Sequence, residues 1–220
     1  RRPLKKICIV GGGTAGWITA ATMAEHLKGR LVDIELVESD DIGTIGVGES
    51  TVPPFLQMLA RLGINEQEFI QETQASFKLG IQFEDWTDKG ESYFHPFGAI
   101  GTRVDVSDFY QVWLKARMHG YARPLPDFAP AAAMARQGRF MLPFKAPRTP
   151  VHGAAYAIHV DAKRVAQFLR RFSEARGVVR TEGIVEDVAL RADGFVQSPR
   201  HKSGKVVEAG FFIDCSGFRA

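Results

Sequence analysis

"KICIVGGGTAGW", residues 6–17, decides the fold. Ile7, Cys8, Ile9 and Val10 form an apolar run that reads as a buried strand. Gly11, Gly13 and Gly16 then follow the spacing G-x-G-x-x-G after a strand and at the opening of a helix, the context that gives this spacing its meaning. Gly11 permits a tight turn. Gly13 lacks the Cβ that would hold a diphosphate away from the backbone, and Gly16 lets the helix lie close on the strand. The N–H groups of the helix start, at Thr14 and Ala15, face the phosphates together with the positive end of the helix dipole. The helix is expected over residues 14–27, with Ile18, Met23 and Leu27 among its apolar positions. "VDIELVE", residues 32–38, is a second strand and completes a βαβ unit. Glu38 closes it, 22 positions after Gly16, where an acid accepts hydrogen bonds from ribose hydroxyls. Such a charged bond contributes about 1.5–3 kcal/mol. The acid would repel a 2′-phosphate and so disfavours NADP; it does not separate NAD from FAD.

The end of the chain bears on that choice. "FFIDCSG", residues 211–217, is an apolar strand ending in a glycine turn, and it resembles the late strand that many FAD-binding proteins pair beside their first. "GIVEDV", residues 183–188, resembles the segment whose valine approaches the adenine in that group, which makes Val185 a candidate contact.

Composition bounds the class. The chain has 220 residues, 45% hydrophobic and 24% charged, with a formal charge of +3. A chain of this length buries roughly 70–75% of its unfolded surface, enough for a substantial core. The basic residues of "RRPLKK" and "FLRRF" lack the interleaved aromatics of a nucleic-acid stripe, so no nucleic-acid partner is expected. No segment approaches the 18 or so continuous apolar residues of a membrane span. Cys8 and Cys215 read as free thiols in apolar strands, not as a disulfide, and the protein is expected to be cytoplasmic. There is no initiator Met, so the first residues of the natural product are expected to be missing.

Between the βαβ unit and the closing strand lie a glycine-spaced loop, "DIGTIGVGEST" at 41–51, and a helix opening near Pro53, with Ser50 or Thr51 as its cap. A second helix is capped by Asn65, and a third runs through "SDFYQVWLKARMHG" with Ser107 as its cap. "FKLGIQFEDW" and "SYFHPFG" read as extended segments. A proline-rich crossing spans 121–155, and a helix capped by Asp161 presents Val165, Phe168, Leu169 and Phe172 on one face. The fold class is therefore α/β, with a Rossmann-type FAD-binding core at about 1–55 and 156–220 and an inserted, partly β, substrate-facing region at about 56–155.

Six stretches resemble one family, the flavin-dependent halogenases of the tryptophan halogenase type. They are GGGTAGW (11–17), GVGESTVP (46–53), FKLGIQF (77–83), FHPFG (94–98), YAIHVDAKRVAQFLRRF (156–172) and FIDCSGFR (212–219). GVGESTVP followed some 25 residues later by FKLGIQF is the most particular of them. The resemblance implies FAD, used in its reduced form FADH2 and supplied by a separate flavin reductase, with oxygen and a halide ion as co-substrates and no metal. Halide is oxidised to hypohalous acid, and a lysine directs halogenation of an electron-rich ring of the indole or tryptophan kind. Carried over by position, Lys78 is that lysine, acting either as a haloamine or by a hydrogen bond from its ammonium. Alternation places Lys78 on one face with Gly80 and Gln82, opposite Phe77, Leu79, Ile81 and Phe83, so its amine meets either solvent or a small-lined cavity. Gly43, Gly46 and Gly48 give the loop its backbone freedom as a strap over the flavin, with Glu49 and Ser50 as its polar members. His95, Pro96 and Phe97 match a segment that lines the aromatic substrate pocket.

Two departures from the family are expected to matter. Its W-x-W-x-I-P signature, its catalytic glutamate and the halide site would all lie beyond Ala220, so the 220 residues read as an N-terminal part that would not turn over alone. The interval 85–95 is also short, which points to a more open pocket for indoles or other aromatics without an amino-acid head group. Two other readings stand beside this one: a different FAD-dependent monooxygenase or dehydrogenase, needing neither halide nor Lys78, and a non-catalytic FAD-binding module. Association as a homodimer is left open.

Overall fold

A computed structural model describes residues 3–42 and 49–217. Gly43, Gly46 and Gly48 lie outside the described residues. In chain order the elements are β1 (Lys6–Val10), α1 (Thr14–His26), β2 (Asp33–Glu38), β3 (Glu49–Ser50), α2 (Pro53–Arg61), α3 (Glu66–Glu72), β4 (Ser76–Lys78), β5 (Gly80–Glu84) and β6 (Ser92–Pro96). There follow α4 (Phe109–Met118), α5 (Pro130–Arg136), β7 (Ala157–Val160), α6 (Ala162–Glu174), β8 (Val179–Glu182), β9 (Val185–Leu190), β10 (Val196–His201) and β11 (Phe211–Asp214). They divide into two compact units. Arg1–Glu49, Leu59–Ala75 and Val160–Ala220 form the first; Ser50–Met58 and Ser76–His159 form the second.

The first unit is built on a four-stranded parallel sheet of Rossmann type, in the order β11-β1-β2-β8. β1 lies between β2 and β11, with Cys8 opposite Glu35 on one side and Phe212 on the other. The chain leaves β1 towards one edge and returns from the other, so a crevice opens at the carboxyl ends of β1 and β11, where such sheets bind ligands. Ile7, Cys8, Ile9, Ile34, Leu36 and Val37 are buried, which explains why β1 is a near-continuous apolar run. α1 packs on α6, and an ion pair from Arg176 to Glu25 at 3.0 Å ties the end of one to the other. Asp161 caps α6 as its sequence suggests, accepting from the Arg164 N–H at 3.0 Å. Val165, Phe168 and Leu169 are buried, while Phe172 is only half-buried beneath the Arg176 guanidinium.

The division differs from the one read in the sequence. Leu59–Ala75 belongs to the first unit, not to the insertion. Phe69 on α3 is fully buried and meets Phe168 edge-on at 5.0 Å, and Glu72 takes a hydrogen bond from Arg171 on α6. That contact spans 99 residues of sequence, and no local periodicity announces it. Asn65 does cap α3, accepting from Glu68 N–H at 3.0 Å. Asp108, not Ser107, holds the cap position of α4, and its side chain makes no capping bond; Ser107 is instead paired backbone to backbone with Val104.

β2 carries a charge that its alternation does not explain. Glu35 is buried, with Oε2 on Lys6 Nζ at 2.5 Å and Oε1 accepting from Thr181 Oγ1 at 2.5 Å. Burial alone would raise its pKa, but the bonds from Lys6 and Thr181 outweigh this and hold the carboxyl below its usual range. Burial pushes the neighbouring Cys8 thiol up to about 12, so it is inert as a nucleophile. Cys8 and Cys215 are both free thiols.

His201, at the end of β10, is 2% exposed, and neither ring nitrogen has a partner among the described residues. Burial and then Lys205 lower its pKa; Glu35 pulls the other way. The unfolded chain therefore takes up this proton first as pH falls, so the associated stability is present above the ordinary histidine range and is lost below it. Denaturant midpoints at about pH 7.5 and pH 5.5 should show a loss at the lower value, and His201→Leu should make that loss smaller.

The second unit contains an antiparallel pair, β5 with β6, and the β4–β7 pair of a separate sheet ordered β3-β7-β4. Around them lie α4, α5 and three 3-10 turns, two of which open on prolines of the stretch that reads as an irregular crossing, Pro143 and Pro150. No helix among the described residues is long and apolar enough to cross a membrane.

Candidate functional site

A cleft of about 1230 Å³ opens in the first unit at the carboxyl ends of β1 and β11. Gly11, Gly12, Gly13 and Thr14 form one wall, with Glu38, Ser39 and Asp40 beside them. Val185, half-buried and packed against Cys8 and Val37, also lines it, and Cys215 and Ser216 follow the end of β11 there.

Each glycine of the turn meets a different constraint. Gly11 has φ +110°, and a Cβ there would stand 2.3 Å from the Cys215 carbonyl oxygen. A Cβ on Gly16 would fall 1.8 Å from the Gly11 carbonyl oxygen, so the helix could not lie where it does. At Gly13 nothing lies within 4 Å of the Cβ position, which leaves open space against the backbone on the cleft wall. Gly13 is also the N-cap of α1, with no side-chain cap and no acidic residue in the first turn. The first N–H groups of α1 thus lack a side-chain acceptor beside this space, and a diphosphate fits there on grounds of charge and room. Ala15 is exposed and Gly16 buried; neither lines the cleft. Thr14 Oγ1 donates to Glu49 Oε1 at 3.0 Å, and Ser50 is exposed.

Residues that the sequence reading left out complete this cleft. Lys163, Gln167 and Arg170 line it from α6, beside the capping Asp161. The apolar spacing of α6 locates its buried face but is silent about what its polar face meets. Gly12 makes room for Glu38, whose Oε2 would sit 1.4 Å from a Cβ at that position.

In the second unit Lys78 is 8% exposed. Its Nζ donates to the Thr51 carbonyl oxygen at 2.9 Å and lies 5.4 Å from the centre of the Phe97 ring. No carboxylate pairs with it among the described residues, and burial lowers its pKa. Thr51 is held in turn by Ile158: Oγ1 donates to the Ile158 oxygen at 2.8 Å and accepts from its N–H at 3.0 Å. Thr51 N–H also donates to the same oxygen at 2.9 Å. The Thr51 hydroxyl is therefore committed to β7 rather than to capping α2.

The expected alternation through Lys78 does not run on into Gly80 and Gln82. β4 ends at Lys78, Leu79 intervenes, and β5 belongs to another sheet. Phe77 takes the outer side, 40% exposed and stacked on Phe140 at 3.8 Å. Of the three residues read as substrate contacts, Pro96 and Phe97 are buried and His95 is exposed on β6. Residues 85–91 form a closed turn between β5 and β6, in which Asp85 N–H donates to the Glu91 oxygen at 2.8 Å and Trp86 stands 72% exposed.

The tryptophan halogenase family profile matches residues 6–220. The chain belongs to the tryptophan halogenase family. Tryptophan 7-halogenase RebH of Lentzea aerocolonigenes is 36% identical over 98% of this chain, and tryptophan 6-halogenase ThaL of Streptomyces albogriseolus is 35% identical over 98%. In each case the matched part is 43% of the relative, so the chain spans less than half the length of these halogenases. Among solved structures, the flavin-dependent halogenase Xcc4156 of Xanthomonas campestris shares 43% identity over 99% of this chain and 43% of its own, with a TM-score of 0.87. BrvH, a flavin-dependent halogenase of Brevundimonas sp. BAL3, shares 40% over 98% and 43%, with a TM-score of 0.86. Membership of the halogenase family covers both units described above, since the matched residues run through each.

Proposed function

We propose that the full-length protein halogenates an electron-rich aromatic compound of the indole class, using FADH2, oxygen and a halide ion. The observation that carries this reading is Lys78, a buried amine with no carboxylate partner among the described residues, in a family of halogenases. Reduced FAD, when bound, would supply the electrons that activate oxygen for oxidation of halide to hypohalous acid. A separate flavin reductase would provide it, as the resemblance to flavin-dependent halogenases implies. Gly11, Gly13 and the opening of α1 would hold the diphosphate, Glu38 the ribose, and Val185 the adenine side, with Gly48, Glu49 and Ser50 belonging to the strap.

Lys78 would act on the oxidised halogen. Its lowered pKa raises the fraction of neutral amine, whose nitrogen lone pair attacks the halogen of hypohalous acid. A nitrogen–halogen bond forms, the halogen–oxygen bond breaks, and the departing oxygen leaves as water with the amine's proton. The ring carbon then takes the halogen as the nitrogen–halogen bond breaks, its electron pair returning to nitrogen, and the proton released when the ring regains aromaticity restores the amine, directly or through a base. Thr51 holds the amine in place for this exchange, and Phe97, with His95 and Pro96 on the same strand segment, would line the aromatic substrate. The short turn at 85–91 supports a substrate without an amino-acid head group, because it carries no length of chain to close over one.

The test is an assay of full-length protein with FAD, a reductase, NADH, oxygen and bromide or chloride, offered indole and tryptophan in parallel. Halide-dependent formation of a mono-halogenated product, faster with indole, is expected. Oxygen insertion without halide would replace halogenation with a monooxygenase, and FAD binding without any turnover would leave a binding module. A clear preference for tryptophan would overturn the open-pocket part alone.

A further inference from the structure

Arg180 sits on β8 beside the end of β2, with a side chain only 13% exposed. Its Nε donates to Glu38 Oε1 at 2.7 Å, and its Nη2 reaches Asp40 Oδ1 at 2.8 Å and Glu182 Oε2. A guanidinium is a rigid fork, so these contacts fix the Glu38 carboxylate in direction as well as position. Arg170 Nη1 adds a weaker approach to the same Oε1 at 3.9 Å. Both arginines act on one oxygen. The other, Oε2, lies over Gly12, on the wall of the cleft that also holds Gly13.

Gly12 fits this arrangement. It is not among the residues with positive φ, so the chain direction there does not require glycine. What requires it is the carboxylate lying against its Cα.

We propose that Arg180 is a positioning residue for nucleotide selectivity: by holding Oε1 it directs Oε2 of Glu38 over Gly12, where it accepts from the 2′-hydroxyl of an adenosine ribose. This rests on the dinucleotide reading of the cleft. Without the fork, Glu38 would keep only the 3.9 Å approach of Arg170, and its carboxylate, no longer held in direction beside Asp40 and Glu182, would turn away from the ribose. Nucleotide binding would persist through the glycine turn, but it would no longer sense the 2′-hydroxyl.

The experiment measures binding of 5′-ADP and of 2′-deoxy-5′-ADP to the full-length protein by calorimetry. The wild type should prefer 5′-ADP by about tenfold, the value of one charge-assisted hydrogen bond. Arg180→Gln should bring that ratio down by about threefold or more, and Arg180→Lys, which keeps the charge but loses the fork, should lower it by a similar factor. A purely structural arginine would weaken both nucleotides alike and leave the ratio intact, so a smaller change of ratio in a folded variant overturns the proposal. If Arg180→Gln fails to fold, the Arg180→Lys ratio decides. Failure of the wild type to bind 5′-ADP at all would overturn the dinucleotide reading itself, and a wild-type ratio near one would overturn the role of Glu38.

Discussion

Replacing Lys78 with alanine in the full-length protein is expected to reduce ring halogenation by roughly 100-fold or more, the scale of losing a positioned group that acts on the reacting atoms. FAD binding and FADH2 oxidation should stay close to wild type, because Lys78 belongs to the second unit and the cleft is lined by residues of the first. Oxidised halogen should still form and should escape to a soluble phenolic acceptor added to the assay. Lys78→Met is the companion variant. It keeps most of the volume beside Phe97 and leaves only the Thr51 carbonyl without its donor, so a shared loss in both variants separates the amine from simple packing. Halogenation at the normal rate in either folded variant would remove the lysine from the mechanism. The pH profile gives a second view. Since burial lowers the Lys78 pKa, the rate attributed to its neutral form should begin to rise at a lower pH than an exposed lysine would allow, and Lys78→Met should abolish that limb.

Two glycines of the turn should fail in different ways. Gly16→Ala places a methyl 1.8 Å from the Gly11 carbonyl oxygen, which is backbone and cannot rotate away. We expect a loss of about 3 kcal/mol or more, at the upper end of overpacking, seen as a lower denaturant midpoint even without cofactor. Gly13→Ala meets nothing within 4 Å, and its φ of −72° suits any residue, so the fold should be kept. Its methyl instead fills the room assigned to the diphosphate, and FAD affinity should fall about tenfold or more by quenching of flavin fluorescence. If Gly13→Ala binds FAD as the wild type does, the diphosphate does not lie against that glycine. If Gly16→Ala is as stable as the wild type, the close approach of α1 to the turn is not required.

Steric rules that act between neighbours along the chain were readable in advance. The apolar run of β1, the spacing of Gly11, Gly13 and Gly16, and the caps Asn65 and Asp161 each depend on a few consecutive residues, and the structure has them as expected. Glu38 could likewise be placed at the end of β2 by counting. Its partner could not. Arg180 lies 142 residues away and meets Glu38 only because β8 pairs with β2. Phe69 and Phe168 are joined in the same manner, so Leu59–Ala75 sides with the first unit against the local reading.

Lys78 shows the same division within a single residue. Its position in FKLGIQF is legible as sequence, but whether its amine meets water or the interior depends on which strands pair on either side of Leu79. β4 joins β7 and β5 joins β6, so the alternation is broken and the amine turns inward to Thr51. The sequence by itself determined the parallel core and the glycine turn, because strand periodicity and the lack of a Cβ act over a few bonds. Only the tertiary structure decided the burial of Lys78, the anchoring of Glu38 and the polar face that α6 gives the cleft. Those depend on strand and helix pairings between residues far apart in the chain, and a side chain's dielectric and hydrogen-bond partners are set by such pairings rather than by its neighbours in sequence.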